Sequence, residues 1–173
     1  MVKSKLLSAS GFMLATKLVG AASGYVLAWW VSQHEGAAAY GRFELALTVL
    51  TMAALGSRLG LDGVLVKWMA ATSVQRLEGI QRRLFFRASA LVLACSLPLA
   101  WLLSDTLGHG LTSWFGDDGL GAAWPRVAMG IPLMAVWALS SEALRGLSQM
   151  KSHALLQPGI LVAGAVLGMV AFN

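Results

Sequence analysis

Lys17 is the residue of this sequence with the clearest capacity for chemistry, because its charge is placed inside an apolar run. It is the only charged residue between Lys5 and Glu35, and it lies near the centre of the otherwise uncharged stretch from Leu6 to Gln33. An ammonium group in the middle of a membrane helix costs about 3 kcal/mol on insertion scales, so it normally faces a bundle interior or a hydrated cavity. We therefore expect the function of this chain to take place inside the membrane.

A second polar feature runs along the next apolar segment. Several of its residues fall within about 40° of one line, provided that the helix runs unbroken. Lys17 likewise shares its helix face mainly with small residues, a pattern typical of a face that packs inwards. Two neighbouring helices with inward polar faces predict a hydrated cavity that holds at least one cation and suits an anionic ligand. The residues along the line are Glu44, Thr48, Thr51, Leu55, Arg58 and Asp62.

Each of these features also has a structural interpretation. Lys17 could be neutralised by a carboxylate and serve only to fix helix packing, with Glu44, Asp62 or Glu142 as its partner. Arg58 and Asp62 are one turn apart, so a local ion pair is an alternative to ligand contact. Three G-x-x-x-G motifs favour close helix packing over function. These motifs are Gly20 to Gly24, Gly56 to Gly60 and Gly164 to Gly168.

Catalytic signatures are missing from the sequence. It contains no H-E-x-x-H, G-x-x-x-x-G-K-[ST], G-x-S-x-G or C-x-x-C motif, and its histidines fall in predicted connections. The single cysteine, Cys95, lies in an apolar run, so an intrachain disulfide and a thiolate metal site are both excluded. We therefore predict a protein that is not an enzyme and that uses no metal ion and no cofactor.

The composition identifies the broad class of protein. Hydrophobic residues make up 57% of the chain and charged residues only 12%, against about 25% charged in an ordinary soluble domain. The net charge of +5 and the pI near 9.9 do not predict nucleic-acid binding, because the basic residues form short clusters between apolar runs. The sequence predicts an integral membrane protein.

Several apolar segments approach the length of about 20 residues that a transmembrane helix needs. Pro98 interrupts the third apolar run and Pro132 lies inside the fourth, and both are expected to be tolerated in mid-span as ordinary kinks. The last is short, which favours a chain truncated within a longer protein. The fold class predicted is all-α, a polytopic transmembrane bundle of about five helices. The segments are Leu7 to Val31, Phe43 to Leu61, Leu84 to Leu103, Ala123 to Ser141 and Gly159 to Phe172.

The distribution of lysine and arginine predicts the orientation, because short cytoplasmic loops carry the excess of these residues. With the N-terminus inside, ten basic residues lie on the inner side and only Arg42 and Arg126 on the outer side. The arginine-rich segment from Val74 to Arg87 is predicted to lie as an amphipathic lead-in at the cytoplasmic surface. The inner set is Lys3, Lys5, Arg58, Lys67, Arg76, Arg82, Arg83, Arg87, Arg145 and Lys151.

Three segments carry a resemblance to a known family. EGAAAYGRFELALTVL, Glu35 to Leu50, is similar to a glycine-containing first loop with a Tyr-Gly entry into the second helix. GLDGVLVKWMA, Gly60 to Ala70, is similar to a Gly-Leu-x-x-x-hydrophobic-basic stretch at the inner end of that helix. EALRGLSQMKSHALLQ, Glu142 to Gln157, is similar to a basic connection between the fourth and fifth helices. In this order the segments resemble the N-terminal third of polysaccharide-type flippases of the multidrug/oligosaccharidyl-lipid/polysaccharide exporter superfamily.

The resemblance implies translocation of an undecaprenyl-diphosphate-linked oligosaccharide, such as an O-antigen, capsular or exopolysaccharide unit, to the outer leaflet of the bacterial inner membrane. It implies that residues 1–173 form a single transmembrane domain, the N-terminal fragment of a larger transporter with a MATE-like two-bundle fold. The partners implied are the lipid bilayer, the lipid-linked oligosaccharide, a polysaccharide polymerase and glycosyltransferases, and no nucleic acid. Lys67 stands where the family often has arginine.

On this resemblance, Lys17 and Arg58 are expected to contact the anionic substrate. Glu44 is expected to line the cavity or to couple a cation to transport. Thr48, Thr51 and Asp62 complete the expected cavity lining.

Three other functions are compatible with parts of the sequence. A multidrug or cation antiporter of the same superfamily would favour acidic cavity residues over a central lysine. A membrane enzyme acting on polyprenyl phosphates would need an acid/base or metal cluster at one interface, which the sequence does not show. A small noncatalytic membrane subunit would use its glycine faces to dock on a larger partner.

Overall fold

The structure, a computed structural model, describes residues 2–75, 77–115, 124–157 and 162, with side chains described for residues 10–75, 77–105, 110, 124–157 and 162. Apart from short turns and connections, these residues are α-helical, and the part of the chain described contains no strand. The prediction of an all-α fold is therefore confirmed. The helices are α1 (Val2–His34), α2 (Ala37–Ser57), α3 (Leu61–Val74), α4 (Glu78–Phe115), α5 (Gly130–Gly146) and α6 (Met150–Leu155).

Four helical segments in the described residues are long and apolar enough to cross a membrane. This confirms a helical membrane protein, and each segment overlaps one of the first four predicted spans. The predicted fifth span, Gly159 to Phe172, lies outside the described residues except for residue 162. The segments are Ser10–His34, Ala37–Ser57, Glu78–Asp105 and Trp124–Gly146.

The second predicted helix is interrupted, which corrects the assumption of an unbroken helix through Asp62. α2 ends at Ser57, and the next residues form a turn before α3 begins. Leu59 and Gly60 both have left-handed backbones, with φ values of 49° and 74°. Such a conformation costs a non-glycine residue about 1 kcal/mol, so Leu59 is held there by its surroundings. The predicted polar line therefore does not continue as one helical face to Asp62.

Pro98 is accommodated inside a helix, as expected for a tolerated mid-span proline, and α4 continues through it. Proline in a helix interior removes one backbone donor and crowds the carbonyl four residues earlier, and neighbouring groups in a membrane bundle can satisfy the carbonyl that loses its partner. Pro132 lies in the first turn of α5, where its missing N–H has no intrahelical partner to lose. The arginines expected in a separate surface segment largely belong to the first turns of α4.

The chain divides into two compact units. The first comprises Met1–Tyr40 and Ser148–Asn173, and in it α1 packs against α6. The second comprises Gly41–Leu147, where α3, α4 and α5 pack against one another. The prediction of a single transmembrane domain over residues 1–173 stays a prediction.

The core of the second unit is formed by apolar side chains from its helices and from the helical residues before α5. The Trp124 side chain is fully buried, and its indole Nε1 donates a hydrogen bond of 2.8 Å to the Leu103 carbonyl on α4. This bond satisfies the indole N–H, which would otherwise be buried without a hydrogen-bond partner. The largest fully buried apolar side chains are Trp124, Met69, Ile131, Leu139 and Val92.

Close helix contact in the second unit occurs at glycines other than those of the predicted motifs. A Cβ placed on Gly146 of α5 would lie 2.8 Å from the Met69 Cβ on α3, whereas one on Gly56 or Gly60 would meet no described atom within 4 Å. The absence of a side chain at Gly146 therefore lets the backbones of α3 and α5 approach closely. Within the described residues, the Gly56 to Gly60 motif does not make the contact predicted for it.

Candidate functional site

Lys17 lies one residue from the middle of the 33-residue helix α1. Its side chain is exposed, and it makes no ion pair with any described residue of its own unit. On the same part of the helix, Gly20 is buried, and the buried Thr16 donates from its hydroxyl to the Met13 carbonyl at 2.9 Å. Beside a small buried face, the Lys17 ammonium is thus available to an anion.

Two of the three carboxylates considered as partners for Lys17 are already engaged by arginines. Asp62 pairs with Arg58, and Glu142 pairs with Arg145. The Arg145 Nη2 and Glu142 Oε2 atoms are 2.9 Å apart, but they are not aligned for a hydrogen bond. Both carboxylates therefore already have a cationic neighbour within their own unit.

The residues of α2 that were predicted to line the cavity, Glu44, Thr48 and Thr51, lie on one face of that helix. The Thr48 hydroxyl donates to the Glu44 carbonyl at 2.8 Å, and the Thr51 hydroxyl donates to the Thr48 carbonyl at 2.9 Å. Glu44 and Thr48 are exposed, and Thr51 is half-buried. Because each hydroxyl proton is used within the helix, these threonines present mainly their oxygen lone pairs to other groups.

Arg58 and Asp62 form the best-defined charged contact of the second unit. The Arg58 Nη1 and Asp62 Oδ2 atoms are 2.8 Å apart, and the side chains are only 14% and 25% exposed. Arg58 Nε also donates to the Ala54 carbonyl at 3.3 Å, which ties the guanidinium to the end of α2. The local ion pair proposed as an alternative to ligand contact is therefore present.

One oxygen of this pair is not satisfied. The Asp62 Oδ1 atom is buried, and it has no hydrogen-bond partner among the described residues. A buried acceptor left without a partner costs about 1–3 kcal/mol, and more when it belongs to a charged group. Among the described residues, the Asp62 carboxylate is thus bound through Oδ2 only, by Arg58.

A second concentration of positive charge lies on the first turns of α4. Arg82, Arg83 and Arg87 line a cavity of about 560 Å³ together with Gly79 and Phe86. The Arg82 guanidinium carbon lies 5.6 Å from the centre of the Phe86 ring, a cation–π distance. The sequence predicted the arginines, but it did not single out Phe86.

The predicted site residues thus fall into separate groups. Arg58 and Asp62 are in contact, and Glu44, Thr48 and Thr51 lie together on α2 of the same unit. Lys17 belongs to the other unit.

Two parts of this arrangement were missed from the sequence. One is that α3 is a separate helix. The break before it falls at Leu59 and Gly60, which both have left-handed backbones, and only the glycine is a sign of such a backbone that can be seen in the sequence. The other is the apolar cavity of about 300 Å³ between α3 and α4, lined by residues from Leu61 to Trp68 and from Leu84 to Leu91. Sequence patterns alone do not state which helix faces pair, so such a cavity was not predictable.

Among the described side chains, no group of three or more histidine, cysteine, aspartate or glutamate residues lies close enough together to hold a metal ion.

Comparison with known proteins adds no further assignment. No protein-family model, no curated protein and no solved structure matches this chain. The resemblance drawn from the three sequence segments therefore stays a prediction.

Proposed function

We propose that this chain belongs to a bacterial inner-membrane transporter that moves an undecaprenyl-diphosphate-linked oligosaccharide from the inner to the outer leaflet. The observation that carries the proposal is Lys17, an exposed lysine in the interior of a candidate span with no ion-pair partner in the described part of its unit. A membrane-embedded cation without a counter-ion is costly, and an anionic substrate passing through the membrane lowers that cost.

The chemistry of the substrate suits this residue. A diphosphate linked to a polyprenyl chain carries negative charge at the head of an apolar tail, and both must be accommodated within the bilayer. The exposed apolar residues around Lys17, including Leu14, Leu18 and Val19, offer a surface for the tail beside the ammonium. The proposal includes a cytoplasmic N-terminus, and it includes the glycosyltransferases and the polymerase that would supply and consume the substrate.

The test is complementation in a strain that lacks the transporter gene, with the gene expressed at its natural length. We expect Lys17→Ala to reduce glycan export at least tenfold, a loss of about 1.4 kcal/mol of substrate stabilisation, and Lys17→Arg to restore much of it. The measurement is surface glycan together with the lipid-linked oligosaccharide that accumulates in the inner leaflet. The control is Val26→Ala, which removes an exposed side chain from the opposite side of the same helix.

The outcome also separates the alternatives. Full export by Lys17→Ala at normal protein levels would show that the lysine does not contact the substrate. Export that persists without the gene, together with a new sensitivity to cationic drugs, would favour a multidrug or cation antiporter. Loss of a larger complex without any transport defect in vesicles would favour a noncatalytic membrane subunit.

A further inference from the structure

Three arginines lie on the side of α4 that faces away from the core of the second unit. They are exposed, and they line the cavity of about 560 Å³ described above, here called the arginine cavity. The core contacts of the same turns come from the other side of the helix, from Leu84, Phe85 and Ala88. The residues that line the arginine cavity are Gly79, Arg82, Arg83, Phe86 and Arg87.

The charge of the arginine cavity is not neutralised within the described residues. None of its arginines forms an ion pair with a described carboxylate, whereas Arg58 and Arg145 each do. Glu78, one turn before Arg82, is likewise not ion-paired among the described residues. Arg82 instead lies 5.6 Å from the Phe86 ring centre, a contact that orients the guanidinium and leaves its N–H donors unused. The cavity therefore has a surplus of positive charge and of hydrogen-bond donors.

The apolar cavity between α3 and α4 adjoins the arginine cavity, because Arg87 lines both. Apart from Arg87, its described lining consists of Trp68 and aliphatic side chains of the two helices. Trp68 and Leu91 are more than half exposed, so this cavity is open to the surroundings. Along α4 it extends to Leu91, one turn beyond Arg87. A donor-rich cavity and an apolar one thus meet at a single side chain.

The order of charge along α4 matches the order of groups in a membrane lipid. After Arg87 the next charged residue is Asp105, which is eighteen residues or about 27 Å of helix further on. This uncharged length is close to the hydrocarbon thickness of about 30 Å. Guanidinium groups are costly in hydrocarbon, so the arginines belong at the headgroup side of the uncharged run. The apolar cavity extends from Arg87 into that run.

We propose that the two cavities together bind one anionic phospholipid of the bilayer. Its phosphate lies on Arg82, Arg83 and Arg87, and one of its acyl chains enters the apolar cavity. Arginine suits this role because its planar fork of N–H donors matches two phosphate oxygens. An anionic headgroup is favoured over a zwitterionic one, because the amine of a zwitterionic headgroup cancels the charge of its own phosphate.

This site is separate from the transport function proposed for Lys17. The arginine cavity opens away from the core, so a lipid of the bilayer reaches it by lateral diffusion and needs no passage through the protein. Each arginine near a membrane surface strengthens the attraction to anionic lipid about fivefold. The three arginines together are expected to give a preference of at least tenfold for anionic over zwitterionic phospholipid.

Trp68 can report the bound acyl chain, because it lines the apolar cavity. The full chain is reconstituted into phosphatidylcholine vesicles that contain increasing fractions of phosphatidylglycerol with brominated acyl chains, which quench nearby tryptophans. The Trp68 signal is the fluorescence difference between the natural chain and Trp68→Phe. Half of this signal should be lost at a brominated phosphatidylglycerol fraction at least tenfold lower than the fraction of brominated phosphatidylcholine that has the same effect.

Substitution of the arginines should remove this preference. Arg83→Gln should raise the phosphatidylglycerol fraction needed for half-quenching about fivefold, and replacement of all three arginines by glutamine should abolish the difference between the two lipids. These side chains are exposed and point away from the core, so the core contacts of α4 are kept. Arg126→Gln is the matched control, because it removes an exposed arginine near the start of another candidate span of the same unit. It should leave the half-quenching fraction unchanged.

Four outcomes would overturn the inference. Equal effects of Arg83→Gln and Arg126→Gln would show only a general attraction of a basic chain to anionic lipid. Equal quenching of Trp68 by the two brominated lipids would show that the cavities do not select an anion. Loss of quenching on addition of inorganic phosphate at constant ionic strength would indicate a site for a soluble phosphate. Displacement of phosphatidylglycerol by an equal amount of a polyprenyl diphosphate would assign the site to the transported lipid.

None of these measurements involves export of a glycan. Selective quenching of Trp68 by phosphatidylglycerol would therefore support the lipid site even if Lys17→Ala exported normally. A reduced export by Lys17→Ala would likewise support the transport function even if Trp68 showed no lipid preference.

Discussion

The charged residues show how far spacing alone can predict a contact. The four-residue spacing of Arg58 and Asp62 made a local ion pair one of two alternatives, and the pair is present at 2.8 Å. The same spacing could not reveal that the pair lies at a helix break, because nothing about leucine favours the left-handed φ of 49° at Leu59.

For Lys17, the sequence predicted the position in the helix but not the groups that it contacts. Its position in an apolar run was evident from the sequence, and its place near the middle of α1 agrees with that expectation. Whether it binds a substrate depends on groups beyond its own helix, which a hydrophobic pattern does not specify. Its role therefore stays a prediction to be tested by substitution.

The glycine contact between α5 and α3 gives a stability prediction at the residue scale. Gly146→Ala should lower the free energy of unfolding by about 2 kcal/mol, because the new methyl group would lie 2.8 Å from the Met69 Cβ and 2.9 Å from the Val66 carbonyl oxygen. The measurement is unfolding of the purified chain in increasing fractions of a denaturing detergent. Gly63→Ala is the control.

The control rests on the surroundings of Gly63, which lies in α3 with no described atom within 4 Å of an added Cβ. Alanine there should leave the stability unchanged or raise it by up to about 1 kcal/mol, because glycine is the poorer helix former. Equal losses for the two variants would mean that α3 and α5 do not approach closely at Gly146.

The first four predicted spans have the approximate positions of the helices in the described residues, but the interruption after Ser57 was not predicted. Hydropathy fixes where a span can lie, because the bilayer demands a run of apolar residues of a certain length. α4 runs through Pro98, whereas the break between α2 and α3 follows Ser57 and carries no proline. Propensity is a local quantity, and tertiary packing decided both cases.

The hydrogen bond from Trp124 to α4 is expected to contribute to the free energy of unfolding. Trp124→Phe should lower the free energy of unfolding by about 1 kcal/mol, because it removes the 2.8 Å bond to the Leu103 carbonyl and keeps most of the apolar volume. Trp101→Phe, at a position that is 73% exposed, should change the stability little. Detergent unfolding of the two variants side by side provides the comparison.

An equal response of the two tryptophan variants would contradict this account. It would show that the indole bond does not anchor the residues before α5 to α4. The helices could still pack through Ile131 and Leu139, which are fully buried in α5.

At the scale of the whole molecule, the class of protein was the most predictable property. A composition with 57% hydrophobic and 12% charged residues excludes an ordinary soluble domain, and four candidate spans follow in the described residues. Only 11% of the apolar window in α1 and 6% of that in α2 is buried by the rest of the chain. The outward faces of these two helices are therefore suited to lipid or to further helices.

The orientation of the chain in the membrane is predicted by its basic residues. Ten basic residues on one side against two on the other favour a cytoplasmic N-terminus. An alkaline phosphatase reporter fused after His34 should be active, because the connection between α1 and α2 would be periplasmic. The same reporter fused after Gln75, between α3 and α4, should be inactive. The reverse pattern would show that the N-terminus is outside.

α4 is longer than one crossing of the bilayer needs. Its 38 residues correspond to about 57 Å of helix, nearly twice the thickness of the hydrocarbon core of about 30 Å. The residues of α4 that pack in the described core run from Leu84 to Leu103, which is about 29 Å of helix. That stretch alone matches one bilayer crossing, so the whole helix either tilts or extends past the hydrocarbon core.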